Sequence, residues 1–315
     1  MNILLTGGFT GGHIIPLIRL AKKIPNHEYQ YVGFKDSLEE KLARDNLIPF
    51  LSLIKYDGTL KRYFCLKKYY QILDKTFLKK KPDLVISTGG YHSYPLISYA
   101  KKRKIKYILI EENTKIGLLN LLFKYNAYKF LTTFPIRKYE LAPNPAIYYN
   151  VRKKDIKYDF LCLGGSLGSK VIINLAIKLA KKNKVLLIAG RYKNDYLKYA
   201  SDNLEILGFV DSINYYHVAK IVITRSGSAT LFELIKAKSH FITIPSLNTK
   251  RNHQYHNAKF IAQKKLGLML NEKHISKRML ETLLTYDFRE IEENQESYLA
   301  KFSSNFYGEI LDGLK

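Results

Sequence analysis

The sequence predicts an α/β protein of two Rossmann-like domains, their parallel sheets facing across a cleft. Short β-branched apolar runs alternate with helical patterns, as parallel sheets require. Several of those runs end in a glycine-rich turn that opens a helix. A stretch containing Pro135, Pro143 and Pro145 separates two such series. The 315 residues exceed the usual single-domain size, and two domains of about 150 residues are the default. The expected boundaries are 1–140 for the first domain, 141–157 for a linker and 158–315 for the second, whose last helix is free to pack back on the first.

In the first domain, residues 2–6 (NILLT) read as a buried strand. Gly7-Gly8-Phe9-Thr10-Gly11-Gly12-His13 follows, then an apolar helix over 14–24 with Pro16 in its first turn, where a missing N–H is tolerated. Glycines between strand and helix let the backbone approach a phosphate closely. The spacing is not G-x-G-x-x-G, which disfavours a nicotinamide cofactor. His13, at the mouth of the turn, suits a base or a hydrogen bond to a diphosphate; capping the helix is the competing use. A strand over 29–32 and a helix near 38–46 continue the alternation.

Residues 58–81 read as a helix carrying Tyr63, Phe64, Leu66, Tyr70, Leu73, Phe77 and Leu78 among seven Lys and one Arg. Exposed aromatics in basic surroundings suit the headgroup level of an anionic membrane; a helix packed on the sheet with snorkelling lysines is the alternative. Residues 82–87 (PDLVIS) lead into a second glycine turn, Thr88-Gly89-Gly90-Tyr91-His92-Ser93-Tyr94-Pro95. A strand over 105–110 delivers Glu111-Glu112-Asn113-Thr114 to the same edge, and 130–134 makes one more strand. Open α/β sheets bind ligands at the carboxyl ends of their strands.

The second series begins with a strand over 160–163 that runs into Gly164-Gly165-Ser166-Leu167-Gly168-Ser169. A strand over 185–189 ends at Gly190-Arg191, and one over 204–207 leads to Gly208-Phe209-Val210-Asp211. The run AKIVIT (219–224) reads as a strand buried on both faces. It breaks at Arg225-Ser226-Gly227-Ser228, and a helix starts near Ala229 with Leu231, Leu234 and Ile235 on its buried side. Amides without intrahelical partners and the helix dipole together favour an anion there. Glu233, one turn in, is placed to accept both hydroxyls of a ribose. A strand over 241–244 ends at Pro245, and its loop delivers Asn252, His253, Gln254 and Asn257, a polar set suited to a sugar. The pattern points to a nucleoside diphosphate carrying a sugar; an ordinary βαβ unit with a solvated loop is the plain alternative. Helices over 275–285 and 289–313 close the chain.

Lys and Arg total 52 against 27 Asp and Glu, a formal charge of +25. Such a field favours polyanions: nucleic acid, an anionic membrane face or phosphorylated substrates. The lysines are scattered through helices, without an RNA-binding aromatic signature, a zinc finger or a basic tail, which argues against nucleic acid. Cys65 and Cys162 form no metal-ligand pattern, and a reducing cytosol is their natural compartment. The N-terminus lacks a signal-peptide pattern. No run approaches the roughly 18 apolar residues that cross a bilayer. The expectation is a soluble or peripheral protein.

Five blocks resemble the MurG family of glycosyltransferase family 28 in order and spacing: TGGFTGGHIIP (6–16), STGGYHSYP (87–95), EENTKIGLLN (111–120), LGGSLGS (163–169) and TRSGSATLFE with HQYHNA (224–258). The resemblance spans nearly the whole chain. It implies a GT-B fold at the cytoplasmic face of the cell membrane. It also implies an inverting transfer, with no metal or other cofactor, of N-acetylglucosamine from UDP-N-acetylglucosamine. The acceptor would be the muramoyl 4-hydroxyl of the undecaprenyl-diphosphate-linked peptide, lipid I.

By position, the resemblance puts Ser166, Ser228, Ala229 and Thr230 at the donor diphosphate with Arg225 beside them, Glu233 at the ribose and the backbone near Val210 at the uracil. His253, Gln254 and Asn257 would lie at the N-acetylglucosamine. Thr10, Gly11, Gly12, Tyr91 and Asn113 would face the acceptor, with His13 or Glu111 as the base. The basic helix over 60–81 would lie near the family's membrane-facing patch.

The chain departs from the family at three places. Ile110-Glu111-Glu112-Asn113 stands for the usual His-Glu-Gln-Asn, Asn144-Pro145-Ala146-Ile147 for Asn-Pro-Val-Arg, and Lys238 and His240 for Gly and Pro. Competing activities of the same fold are transfer to another lipid-linked or glycolipid acceptor, and a UDP-sugar 2-epimerase, which converts free UDP-sugar with no acceptor.

Overall fold

The computed structural model describes residues 1–8, 10–54, 61–165, 168–246 and 249–314, with 61–64 and 250 described by backbone alone. It divides into two units, Met1–Tyr148 with Ser304–Lys315, and Tyr149–Ser303.

The first unit is built on a parallel sheet of β1 (Asn2–Gly7), β2 (Glu28–Phe34), β3 (Phe50–Leu53), β4 (Leu84–Gly89), β5 (Lys106–Glu111), β6 (Lys129–Thr132) and β7 (Glu140–Leu141). Its order is β3-β2-β1-β4-β5-β6-β7. The helices are α1 (Gly11–Lys23), α2 (Leu38–Asp45), α3 (Lys61–Thr76), α4 (Tyr94–Arg103) and α5 (Leu118–Phe123). Both faces of the sheet are covered, so the strands are continuously apolar and alternate residues enter different cores. Ile3, Leu5, Ile86, Ile108 and Ile110 pack with Ile14 and Leu17 of α1. Leu4, Val85, Tyr107 and Leu109 pack with Leu73 of α3, Leu96 of α4 and Leu119 of α5.

That second face gives the described part of residues 60–81 the packed-helix reading. Cys65, Tyr69 and Leu73 are buried at helical spacing, with Phe77 just past the helix, so the apolar stripe of α3 is sheet-facing core. The sheet face needs a cover, and the lysines can extend along its edge to water. Leu78 alone stays largely exposed, and the side chains of Tyr63 and Phe64 lie outside the described residues.

The expected linker is also partly core. Ala142, Asn144 and Ala146 are fully buried. The Arg19 guanidinium donates to the Ala146 carbonyl at 2.5 Å. These contacts tie residues up to 148 into the first unit.

The second unit repeats the plan with β8 (Tyr158–Leu163), β9 (Val185–Ile188), β10 (Leu204–Leu207), β11 (Ala219–Thr224), β12 (Phe241–Thr243) and β13 (Leu268–Met269), ordered β10-β9-β8-β11-β12-β13. Its helices are α6 (Lys170–Leu179), α7 (Lys193–Tyr196), α8 (Ser228–Lys236), α9 (His253–Gln263), α10 (Lys277–Thr282) and α11 (Arg289–Leu299). The single closing helix expected over 289–313 is two: α11 ends, and α12 (Phe306–Asp312) follows. Ser303-Ser304-Asn305 lies between them, and such side chains compete with the helical backbone for hydrogen bonds. Past that break the chain belongs to the first unit, where Tyr307 and Leu311 join the α1-side core. No described helix is long and apolar enough to cross a membrane.

Candidate active site

Each sheet reverses its strand order once, between β1 and β4 in the first unit and between β8 and β11 in the second. Loops leaving the carboxyl ends of strands at such a reversal diverge and open a crevice. The glycine turns follow those four strands.

In the first unit the two turns touch. Thr88 donates its hydroxyl to the His13 carbonyl at 2.6 Å. Gly90 has φ +83°, and a Cβ there would stand 2.8 Å from the Gly8 carbonyl oxygen. A Cβ on Gly8 would come within 2.6 Å of His92 Cβ. Helix α1 starts earlier than the sequence predicts, so Thr10 is its N-cap, without a side-chain cap bond, and Gly11, Gly12 and His13 form its first turn. His13 is thereby held at a helix N-terminus by both turns.

The carboxylate that meets His13 is Glu112: Oε2 lies 2.7 Å from His13 Nδ1. Glu112 is 2% exposed, and burial pushes its pKa up to about 7. Burial also works against charge on His13, yet the hydrogen bond and negative charge of Glu112, with Glu111 adding, raise the imidazole above its ordinary value.

Glu111, the other candidate base, has partners of its own. Its Oε1 accepts from Asn113 N at 3.0 Å and Nδ2 at 3.4 Å, and its Oε2 from Gly117 N at 2.7 Å and Asn120 Nδ2 at 2.9 Å. Four donors commit that carboxylate to shaping the loop after β5. Asn113 contributes two of them, its backbone N–H and its side-chain amide. Tyr91 stands 53% exposed in the short turn Tyr91–Ser93. A second pair, His92 Nδ1 and Glu39 Oε1 at 2.5 Å, lies behind the Gly8 turn.

In the second unit, α8 starts with Gly227 as a side-chain-free N-cap, and its first intrahelical bond runs from Leu231 N to Gly227 O at 3.0 Å. The amides of Ser228, Ala229 and Thr230 therefore precede the ladder. Ser226 Oγ and Thr243 Oγ1 lie 2.7 Å apart, and buried Asn257 donates Nδ2 to the Ser226 carbonyl at 3.3 Å. Arg225 donates Nε to Ser169 Oγ at 2.9 Å, and Nη1 to the Ile244 carbonyl at 3.1 Å and Glu272 Oε2 at 2.7 Å. Gln254 Oε1 accepts from Ser246 N at 2.9 Å. Arg225, Gln254 and Asn257, expected at the donor, thus brace the loops around α8 through bonds within the protein.

His253 opens α9 after two left-handed residues, Arg251 and Asn252. Val210 lies between β10 and the turn Ser212–Asn214. Ser166 falls outside the described residues. Glu233 is nearly buried, and its Oε2 accepts from the Tyr216 hydroxyl at 2.5 Å.

Comparison with known proteins places this architecture. Residues 3–132 match the glycosyltransferase family 28 N-terminal domain and 160–309 its C-terminal domain. A Thermosipho africanus relative is named UDP-N-acetylglucosamine–N-acetylmuramyl-(pentapeptide) pyrophosphoryl-undecaprenol N-acetylglucosamine transferase. It is 33% identical over 303 residues, 88% of each chain. The chain belongs to glycosyltransferase family 28. A Clostridium tetani relative of the same name is 30% identical over 355 residues, 99% of this chain and 96% of its own. Among solved structures, Acinetobacter baumannii MurG matches with TM-score 0.73 at 20% identity over 99% of each chain. The glycosyltransferase VinC, solved with DTDP, matches with TM-score 0.66 at 13% identity over 100% of this chain and 99% of its own. At those identities the likeness concerns the fold, which is GT-B.

As a family 28 glycosyltransferase the chain keeps its departures for physical reasons of its own. Lys238, in a glycine position of the family, has φ +53°, the left-handed conformation that suits glycine after a helix. His240 stacks on Phe288 with ring centroids 4.3 Å apart and pairs with Glu292.

Three features escaped the sequence reading: Glu112 as the partner of His13, Tyr216 under Glu233, and the outer face of α5. On α5, Leu118 and Leu122 are 69% and 66% exposed, and Tyr125 beyond it is 83% exposed. The signal for that face was present in GLLNLLFKY, an apolar run with Lys115 just before it and Lys124 within it.

Proposed function

We propose that this chain transfers N-acetylglucosamine, with inversion and without a metal, from UDP-N-acetylglucosamine to the muramoyl 4-hydroxyl of lipid I, making lipid II. The supporting observation is that relatives named for this transfer align with both units, one at 33% identity over 88% of each chain.

In this reading His13 takes the proton of the acceptor hydroxyl, and Glu112, 2.7 Å from Nδ1, orients the ring and stabilises the imidazolium. The new bond to the anomeric carbon forms as the bond to UDP breaks. Charge growing on the leaving diphosphate meets the first-turn amides of α8 at Ser228, Ala229 and Thr230, oriented in advance by the braced loop. Glu233 holds the ribose, the backbone at Val210 the uracil, and His253 the sugar. Thr10, Gly11, Gly12, Tyr91 and Asn113 face the acceptor.

The acceptor carries a lipid, and the outer face of α5 suits the membrane that holds it. Leu118, Leu121, Leu122 and Tyr125 are exposed there. Lys101 lies over the Phe123 ring at 5.9 Å, Lys106 over Tyr128 at 5.2 Å and Lys124 over Tyr125 at 4.8 Å. Apolar side chains ringed by lysines fit an anionic bilayer surface, which supports a peripheral position on the cytoplasmic leaflet.

The test is incubation with UDP-N-acetylglucosamine and a short-chain lipid I analogue, following UDP release. Release that depends on the acceptor supports the proposal. Conversion of the UDP-sugar without acceptor would replace it with the epimerase reading, and release only with other glycolipids would replace the acceptor.

A further inference from the structure

A hydrogen-bonded chain runs through the second unit from the loop after β10 to the acid on α8. Ser212 Oγ lies 2.9 Å from the Tyr216 hydroxyl, and that hydroxyl donates to Glu233 Oε2 at 2.5 Å. Tyr216 is 1% exposed and Glu233 4%. A carboxylate so far from water needs a donor. The phenol supplies one throughout the physiological range, because burial and the Glu233 charge push its pKa well above the ordinary value. Tyr149 meanwhile donates to the Glu233 carbonyl at 2.6 Å, pinning the backbone beneath the same side chain. Reading two hydroxyls on one ring requires the carboxylate in a single orientation.

We propose that Tyr216 is a positioning residue that fixes Glu233 for the donor ribose, and that the Ser212–Tyr216–Glu233 chain sets the preference for ribose over deoxyribose. This rests on the donor reading given above and deepens it: the segment next to Val210 and the acid on α8 are held as one unit. Tyr216 acts through Glu233 and touches no reacting atom.

The experiment measures binding of UDP and 2′-deoxy-UDP by calorimetry to the full chain, for wild type, Tyr216→Phe and Ser212→Ala. The two nucleotides differ only in the hydroxyl at issue. The wild type should favour UDP. Tyr216→Phe should weaken UDP about tenfold, the scale of one hydrogen bond to a charged group, and weaken 2′-deoxy-UDP, which keeps only the 3′-hydroxyl bond to Glu233, by clearly less, so the preference narrows. Ser212→Ala should shift the preference in the same direction by less, and it decides the matter if Tyr216→Phe does not fold. Equal losses for both nucleotides, or an unchanged preference, would overturn the proposal. A wild type that binds both alike overturns it while the donor reading stands; one that binds neither removes the donor reading too.

Discussion

Replacing Glu112 by Gln separates the two things that carboxylate does for His13. The side chain is buried, with Oε2 2.7 Å from Nδ1. An amide oxygen of the same shape can accept the same hydrogen bond, so the ring keeps its orientation and loses only the negative charge beside it. A hydrogen bond to a charged group contributes about 1.5–3 kcal/mol and one to a neutral group about 1, a difference of about 0.5–2 kcal/mol in stabilising an imidazolium. Realised entirely in the transition state, that is roughly a two- to thirty-fold fall in kcat.

The pH profile gives the sign. Glu112 holds the imidazole above its ordinary value against the burial that would lower it, so the acidic limb of kcat/KM lies above pH 6.5 in the wild type. In Glu112→Gln burial acts unopposed by that charge, and the limb moves to lower pH. Stability follows the same linkage. Both groups have raised folded values, so their contribution is fully present at low pH, and Glu112's fades as pH climbs from its ordinary value toward about 7. The Tm advantage of wild type over the variant should therefore shrink between pH 5 and pH 8. The assay is acceptor-dependent UDP release across that range, with thermal melts alongside. An acidic limb that stays in place, or kcat unchanged at pH 8, would refute the pairing.

Lys238→Gly should raise Tm, because a non-glycine residue in the left-handed region costs about 1 kcal/mol. The exposed Lys238–Glu296 pair lost with it returns little of that; a lower Tm would count against the strain. Gly90→Ala should lower Tm by a few degrees through its φ of +83° and the 2.8 Å approach to Gly8 O. Its UDP affinity should stay unchanged, and a fall in nucleotide binding would contradict the division of roles between the units. Leu118→Asp with Leu122→Asp should cut co-sedimentation with anionic vesicles at least about tenfold while UDP binding persists, since each exposed Leu gains about 1.5 kcal/mol or more on burial. Undiminished vesicle binding would remove the α5 surface from the membrane proposal.

The alternation of β and α, the glycine turns and the start of α8 were legible because each rests on local rules: two-faced burial, positive φ and orphan amides. The partners of polar side chains were not. Arg225 stands just past the end of β11, and Gln254 and Asn257 in the first turns of α9, where a sugar and the protein's own turning backbone make the same demand for hydrogen bonds. All three meet protein groups. Composition shows that polar groups are present near the edge, and only folding shows which atom of each meets a protein partner.

The choice between Glu111 and Glu112 is different, because the strand period decides it. Along β5, Tyr107 and Leu109 face the core under α3, α4 and α5, while Ile108 and Ile110 face the core under α1. That alternation sends Glu111, the last strand residue, toward the α5 side, where Gly117 and Asn120 wait, and one residue further sends Glu112 toward α1, whose first turn carries His13. Crossovers between parallel strands are right-handed, and the sheet grows in opposite directions from β1 and β4, so α1 and α4 must lie on opposite faces. Period and handedness together are enough to assign the partner of His13, and a one-residue slip in β5 would exchange the acid beside that imidazole for the acid that shapes the loop.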